Sequence, residues 1–307
     1  MIRKIQTAVL HLFAAALLML PLVRGAQAAE HLKPFILAST GPGDMQAKVD
    51  SVKSALTNAG FDLVGDYVPY KDAHIIIFTS DHLKKVAAMT KMGGFGAVQR
   101  ASVTKVGNDL QVAYTNPVYV ANAYRLKDNL SGVADKLAQA LGRIKDFGSE
   151  DGMTPDDLRD YHYTFGMEYF DDPYELATYK SYDAALKAVE QHLKTNKAGV
   201  RPLYHLNIPG KQETVFGVSM KAPPGGDQDM DDTWQMHIID FKDLKQTAYL
   251  PYQVMVLGNK VIALHMRFRA AVFFPDLSMM GSHSFMKLMS SPAAIRKALT
   301  IAVGGQP

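Results

Sequence analysis

VQRASVTKVGNDLQVAYTNP, residues 98–117, alternates apolar and polar side chains on both sides of Gly107-Asn108-Asp109. Alternation with period two gives each run a core face and an outward face. A Gly-Asn pair supplies the positive φ of a tight connection, so the stretch predicts a β-hairpin. LPYQVMVLGNKVIALHMRF, residues 250–268, has the same form around Gly258-Asn259. Two hairpins of one pattern far apart in the chain raise the question of an internal repeat, and the segments around them answer it.

Upstream of the first hairpin, PFILAST (34–40) reads as a strand. In GPGDMQAKVDSVKSALTNAG (41–60), Val49, Val52, Leu56 and Ala59 recur at helical spacing, and Gly60 stops the helix. FDLVGDYVPY and AHIIIFTS follow as strands, then DHLKKVAAMTKM as a helix with Asp81 as its expected cap. Downstream, LSGVADKLAQALGR is a helix, and the polar FGSEDGMTPDD marks a boundary. The second half repeats this order. It has an alternating run DYHYTFGMEYF, a helix YKSYDAALKAVEQHLKTNKAG and strands PLYHLNIPG and ETVFGVSM. A helix-compatible IIDFKDLKQT, the second hairpin and a closing helix in SFMKLMSSPAAIRKALTIAV complete it. The expected architecture is α+β, as two tandem related units of about 120 residues, each an antiparallel sheet with helices packed on one face. The boundaries are residues 1–28 as a leader, 29–147 as the first unit and 148–307 as the second, with a ligand cleft expected between the copies.

The leader reading rests on Arg3 and Lys4, an apolar run from Ala8 to Val23, and Ala26-Gln27-Ala28 as a small-x-small cleavage pattern. It predicts export, cleavage near Ala28 and a free periplasmic protein with no stable membrane insertion. The formal charge of +3 includes Arg3, Lys4 and Arg24 of that leader, so the mature chain is near neutrality and has no electrostatic case for nucleic acid. With 0 Cys there is neither disulfide nor thiolate, and a hydrophobic fraction of 48% must supply the core.

The helix DSVKSALTNAGF, the strand pair after it, the hairpin VTKVGNDLQVAYTNP and the Asn116-Pro117 step resemble the family catalogued as domain of unknown function 302 over roughly residues 35–145. Members commonly carry Cys-Asn-Pro at this step, where Thr115 precedes Asn116 here. The second copy resembles it in LPYQVMVLGNKVIAL and at Phe274-Pro275-Asp276, where Asn-Pro would have become Phe-Pro. The resemblance implies a small α+β fold that readily pairs, which makes a homodimer compatible with it, and it implies no reaction.

Function is therefore read from candidate residues. FFPDLSMMGSHSFMKLM (273–289) gathers Met279, Met280, His283, Met286 and Met289. Thioether and imidazole suit copper(I), although Met is also a common core filler and the chain has 16 of them. Tyr67, Tyr70, Tyr114, Tyr119 and Tyr124 surround Asn116-Pro117, with Arg100 and Arg125 near in sequence. Tyr70, Arg100, Tyr114 and Asn116 are the expected ligand contacts. Gly93, Gly94 and Gly96 lack the lysine-hydroxyl ending of a phosphate loop, and Asp227, Asp229 and Asp231 lack the glycine and glutamate of a calcium loop. His74, His205, His237 and His265 read as hydrogen-bonded structural residues. No HExxH or GxSxG is present. The leading expectation is a non-enzymatic periplasmic binding or accessory protein for a small ligand or a protein partner. The alternatives are copper(I) handling and a hydrolase without a recognisable motif.

Overall fold

The computed structural model describes residues 30–307, and the leader reading falls on residues outside them. The first half runs β1 (Phe35–Pro42), α1 (Met45–Asn58), β2 (Asp62–Tyr67), β3 (Ala73–Thr79), α2 (Asp81–Ala88), β4 (Gln99–Val106), β5 (Asp109–Thr115), α3 (Pro117–Ala123), α4 (Ser131–Leu141) and β6 (Lys145–Phe147). After α5 (Pro155–Arg159) come β7 (Tyr174–Thr178), α6 (Tyr182–Leu193), β8 (Val200–Asn207), β9 (Glu213–Met220), α7 (Asp232–Ile239), β10 (Tyr252–Leu257), β11 (Lys260–Ala263), α8 (Met266–Phe273) and α9 (Ser291–Ala302). Both predicted hairpins form: Val106 faces Asp109 in β4–β5, and Leu257 faces Lys260 in β10–β11.

All pairings in the two sheets are antiparallel. The first sheet is ordered β2-β3-β4-β5-β1-β6 and the second β8-β9-β10-β11-β7, so β2-β3-β4-β5-β1 recurs strand for strand. The helices recur too, with α1, α2, α3 and α4 answered by α6, α7, α8 and α9 at the same places in the order. This α+β architecture holds both sheets within one compact unit, residues 31–307.

Helices cover the sheets because their apolar stripes demand it. Val49, Val52 and Leu56 of α1 and Val133, Ala134 and Leu137 of α4 are buried, and the two helices touch each other and the first sheet. Side chains alternate across a strand, so Ala101 and Val103 of β4 point away from Arg100 and Thr104. Arg100 donates to Gln253 Oε1 at 2.7 Å and Thr104 to Thr247 Oγ1 at 3.0 Å, which fixes that second face against the second half. The junction is reciprocal. The buried turn Gly93–Gly96, after α2, packs on β9 and β10, while Thr247–Tyr249, after α7, packs on β3, β4 and β5. The glycines earn that turn: a Cβ on Gly94 would lie 2.7 Å from Glu213 Oε1, which accepts its N–H. Aromatic rings fill the remainder, with Phe35 packed among Phe147, Phe273 and Phe274, and Tyr124 stacked on Phe170 at 5.3 Å.

Several local expectations are corrected. Residues 160–170 form a loop instead of a strand, because β7 takes the free edge of β11. Their rings pack elsewhere, Tyr161 edge-on to Phe268, while Phe165 is 99% exposed. The segment 240–246 is not helical; α7 ends at Ile239, and the Asp240 carboxylate accepts the Gln246 N–H at 2.8 Å, folding the chain back. Ser80, not Asp81, caps α2, accepting from the Leu83 N–H. SFMKLM contributes one 3₁₀ turn, Phe285–Leu288, before α9 starts at Ser291-Pro292. Finally, Asn116 caps α3 with Pro117 at its first turn, and the residue in that place in the second half is His265, which caps α8. Phe274-Pro275 lies a whole helix later and is not the counterpart of Asn116-Pro117. Among the described residues no helix is long and apolar enough to cross a membrane.

Candidate functional site

Three segments of the second half build an apolar cleft of about 280 Å³. The first wall is α8, whose cap His265 aims the opening turn so that Met266, Arg267 and Ala271 face the cleft. The second is the chain from Ser278 to Met289. Backbone bonds from Phe285 N to Ser278 O (2.9 Å) and from Met286 N to Met279 O (3.2 Å) close it into a loop. At its tip Gly281 takes φ 114, a value side chains disfavour. The third wall is Tyr163 and Met167 from the loop after α5. The Tyr163 hydroxyl donates to Met279 Sδ at 2.7 Å and its ring packs on Phe285 at 4.9 Å, so that loop is tied to the second wall.

Of the residues expected to hold a metal, Met279, Met286 and Met289 line this cleft, and Met167 and Met266 join them. Met280 and His283 do not. Met280 is 76% exposed on the loop, and the His283 ring stacks on Phe241 at 4.4 Å with Nδ1 2.9 Å from the Ile238 carbonyl. Among the described residues no group of three or more His, Cys, Asp or Glu is arranged to hold a metal. The acidic loop serves capping instead: Asp231 accepts from Thr233 N and Trp234 N at the start of α7.

Charge at the cleft rim is already balanced. Glu168 lies 3.2 Å from the Arg267 guanidinium and 3.1 Å from His265 Nε2. Burial pushes His265 down to about 4 in spite of that carboxylate, so its imidazole is neutral at pH 7. The cleft therefore presents thioethers, rings and methyl groups beside one compensated ion pair.

The four expected ligand contacts are not brought together. Tyr70 reaches a second, polar cleft of about 290 Å³ whose walls include Thr104 and Lys105 from the first half and His237, Asp240 and Lys245 from the second. Those groups are largely engaged internally: the Tyr70 hydroxyl is 3.2 Å from Thr247 Oγ1, Asp240 accepts from Gln246, and Lys245 Nζ donates to the Asp240 carbonyl at 3.0 Å. Arg100 is 1% exposed inside the junction. Tyr114 donates to the Gly142 carbonyl at 3.2 Å, and Asn116 is a helix cap whose Nδ2 donates to the Lys33 carbonyl. A spacing argument finds the methionines of one loop; Met167 and Met266 reach it only through tertiary folding and carry no signal of their own. Compared with protein-family models, curated proteins and solved structures, the chain matches none of them.

Proposed function

We propose that this chain is a non-enzymatic binding protein, exported to the periplasm, whose methionine-lined cleft takes a small, uncharged, apolar molecule. The observation that carries the reading is the lining itself, five methionines with Tyr163, Phe285 and Leu288, beside an arginine already paired to Glu168. Methionine surfaces are soft and adapt to ligand shape, and an apolar wall gives no reward for burying charge. A dry cavity of about 150 Å³ accepts a benzene ring, so about 280 Å³ suits roughly two fused rings or a short alkyl chain. Titration with the neutral two-ring fluorophore 1-naphthylamine is expected to saturate at micromolar concentration. Because Met286 and Met289 are 50% and 63% exposed, the pair Met286→Asp and Met289→Asp should leave the fold intact and weaken binding at least about tenfold by charging the cleft. Unsaturable fluorescence in the unmodified protein rejects the reading.

Copper(I) handling is the second reading, favoured by the five thioethers facing one cleft. Met→Leu conserves volume and removes the ligating sulfur. The triple variant Met279→Leu, Met286→Leu, Met289→Leu should keep naphthylamine binding while losing the ability to take copper(I) from a chromogenic chelator. Undiminished copper(I) uptake in that variant excludes these thioethers as ligands.

A further inference from the structure

The junction between the halves buries two guanidiniums, Arg100 and Arg269, each 1% exposed. Among the described residues neither has a carboxylate within 4.0 Å. Arg100 spends one nitrogen on Gln253 Oε1, and Arg269 spends one on the carbonyls of Tyr249 (2.9 Å) and Pro251 (3.2 Å). Arg100 Nε, Arg269 Nε and Arg269 Nη1 are buried without a protein partner, as are the hydroxyls of Tyr124 and Tyr249.

Charge is as unbalanced as hydrogen bonding. Burial pushes Arg100 below its ordinary range, and the charge of Arg269 pushes in the same direction. Tyr249 and Tyr252 lie 4.3 Å from the Arg269 guanidinium and offer it their ring faces. Burial raises both phenols, and Tyr204 with them, so all three are neutral at pH 7 and supply no negative charge. The carboxyl group that acts on Arg269 is Asp232, itself pushed up to about 7 by burial. Two buried cations against one half-ionised carboxyl is an arrangement that proteins ordinarily complete with a counter-charge; the three unpartnered guanidinium nitrogens can only donate, and the two phenol hydroxyls are able to donate with them.

We propose that Arg100 and Arg269, with the Tyr124 and Tyr249 hydroxyls, bind one compact monovalent anion of halide size inside the junction. Such an ion would join groups from both halves, since Arg100 and Tyr124 belong to the first and Tyr249 and Arg269 to the second. It is independent of the methionine cleft.

Bromide is the probe. Thermal unfolding in gluconate, with bromide exchanged in at constant ionic strength, should show a saturable rise reaching about 5 °C at a hundredfold excess over Kd. Crystals soaked in bromide should give an anomalous peak within hydrogen-bond reach of Arg100 Nε or Arg269 Nη1. Arg100→Gln should abolish both. A flat melting temperature with no internal peak overturns the proposal, as does a rise that persists in Arg100→Gln. If that variant does not fold, the peak in unmodified crystals decides alone: its presence at the two arginines supports the site, and bromide found only on the surface refutes it.

Discussion

Replacing Gly217 by alanine is expected to destabilise the chain by about 3 kcal/mol or more, among the largest effects of any single methyl group added to it. Gly217 sits on β9 directly opposite Tyr204 of the edge strand β8. The tyrosine ring lies across the glycine, and a Cβ there would overlap the ring. Tyr204 cannot simply step aside. It is 6% exposed, and its hydroxyl accepts from Gln253 Nε2 at 3.0 Å, while Gln253 Oε1 takes the Arg100 guanidinium at 2.7 Å. Displacing the ring therefore unfastens a buried chain of polar groups across the junction, which costs more than the steric overlap. Tyr204→Leu alone should cost roughly 3 kcal/mol by removing a buried ring. The double variant should cost less than the sum of the singles by about 1–3 kcal/mol, because leucine leaves room for the new methyl group. Urea midpoints at constant slope measure all three; strict additivity would show that ring and glycine do not interact.

That glycine also shows where reading the sequence stops. The two hairpins, the helices and their order are written in local alternation and spacing, so α+β architecture and the repeated order were legible from residues such as Val49, Val52 and Leu56. ETVFGVSM reads as a strand, and nothing in it says that Gly217 exists to admit Tyr204. The loop at 160–170 misled for a related reason: Tyr161, Tyr163, Phe165 and Met167 alternate as strand residues do. Yet edge pairing is decided by which segment meets β11, and Tyr174–Thr178 does. Arg100 was legible as a cation near the tyrosines, and so as a ligand contact, but not as buried, since its burial depends on Gln253, 153 residues away. The methionine cleft was half legible. Met279, Met286 and Met289 are sequence neighbours, whereas Met266 belongs to a helix whose start is set by His265, in the place of Asn116.

Stability is expected to fall as pH rises from about 4 to about 7, and Asp232→Asn is expected to remove most of that fall. Asp232 is 4% exposed at the start of α7, where its carboxyl accepts the Met220 N–H at 2.9 Å. Burial pushes it up to about 7 and pushes Asp240, 7% exposed, up to about 6. Between the unfolded carboxyl value near 4 and these folded values, the native state holds protons that the unfolded chain has lost, so each pH unit costs about 1.4 kcal/mol per group. His265 opposes this. Its folded value of about 4 means that the unfolded chain carries the extra proton up to pH ~6.5, and there it adds stability as pH rises. Two carboxyls against one imidazole leave a net fall up to about pH 6; Asp232 and His265 then offset one another to about 6.5, and Asp232 alone continues the fall to about 7. Asparagine keeps the side-chain volume and the oxygen that Met220 N–H needs, and it never ionises. The variant should match the unmodified protein near pH 3 and exceed it by up to about 4 kcal/mol at pH 8, measured by urea unfolding at each pH. The competing physics is the attraction between ionised Asp232 and the Arg269 charge, which the same burial strengthens. If that attraction outweighs desolvation, Asp232→Asn will be less stable than the unmodified chain at pH 8, and the sign of the difference decides which effect wins.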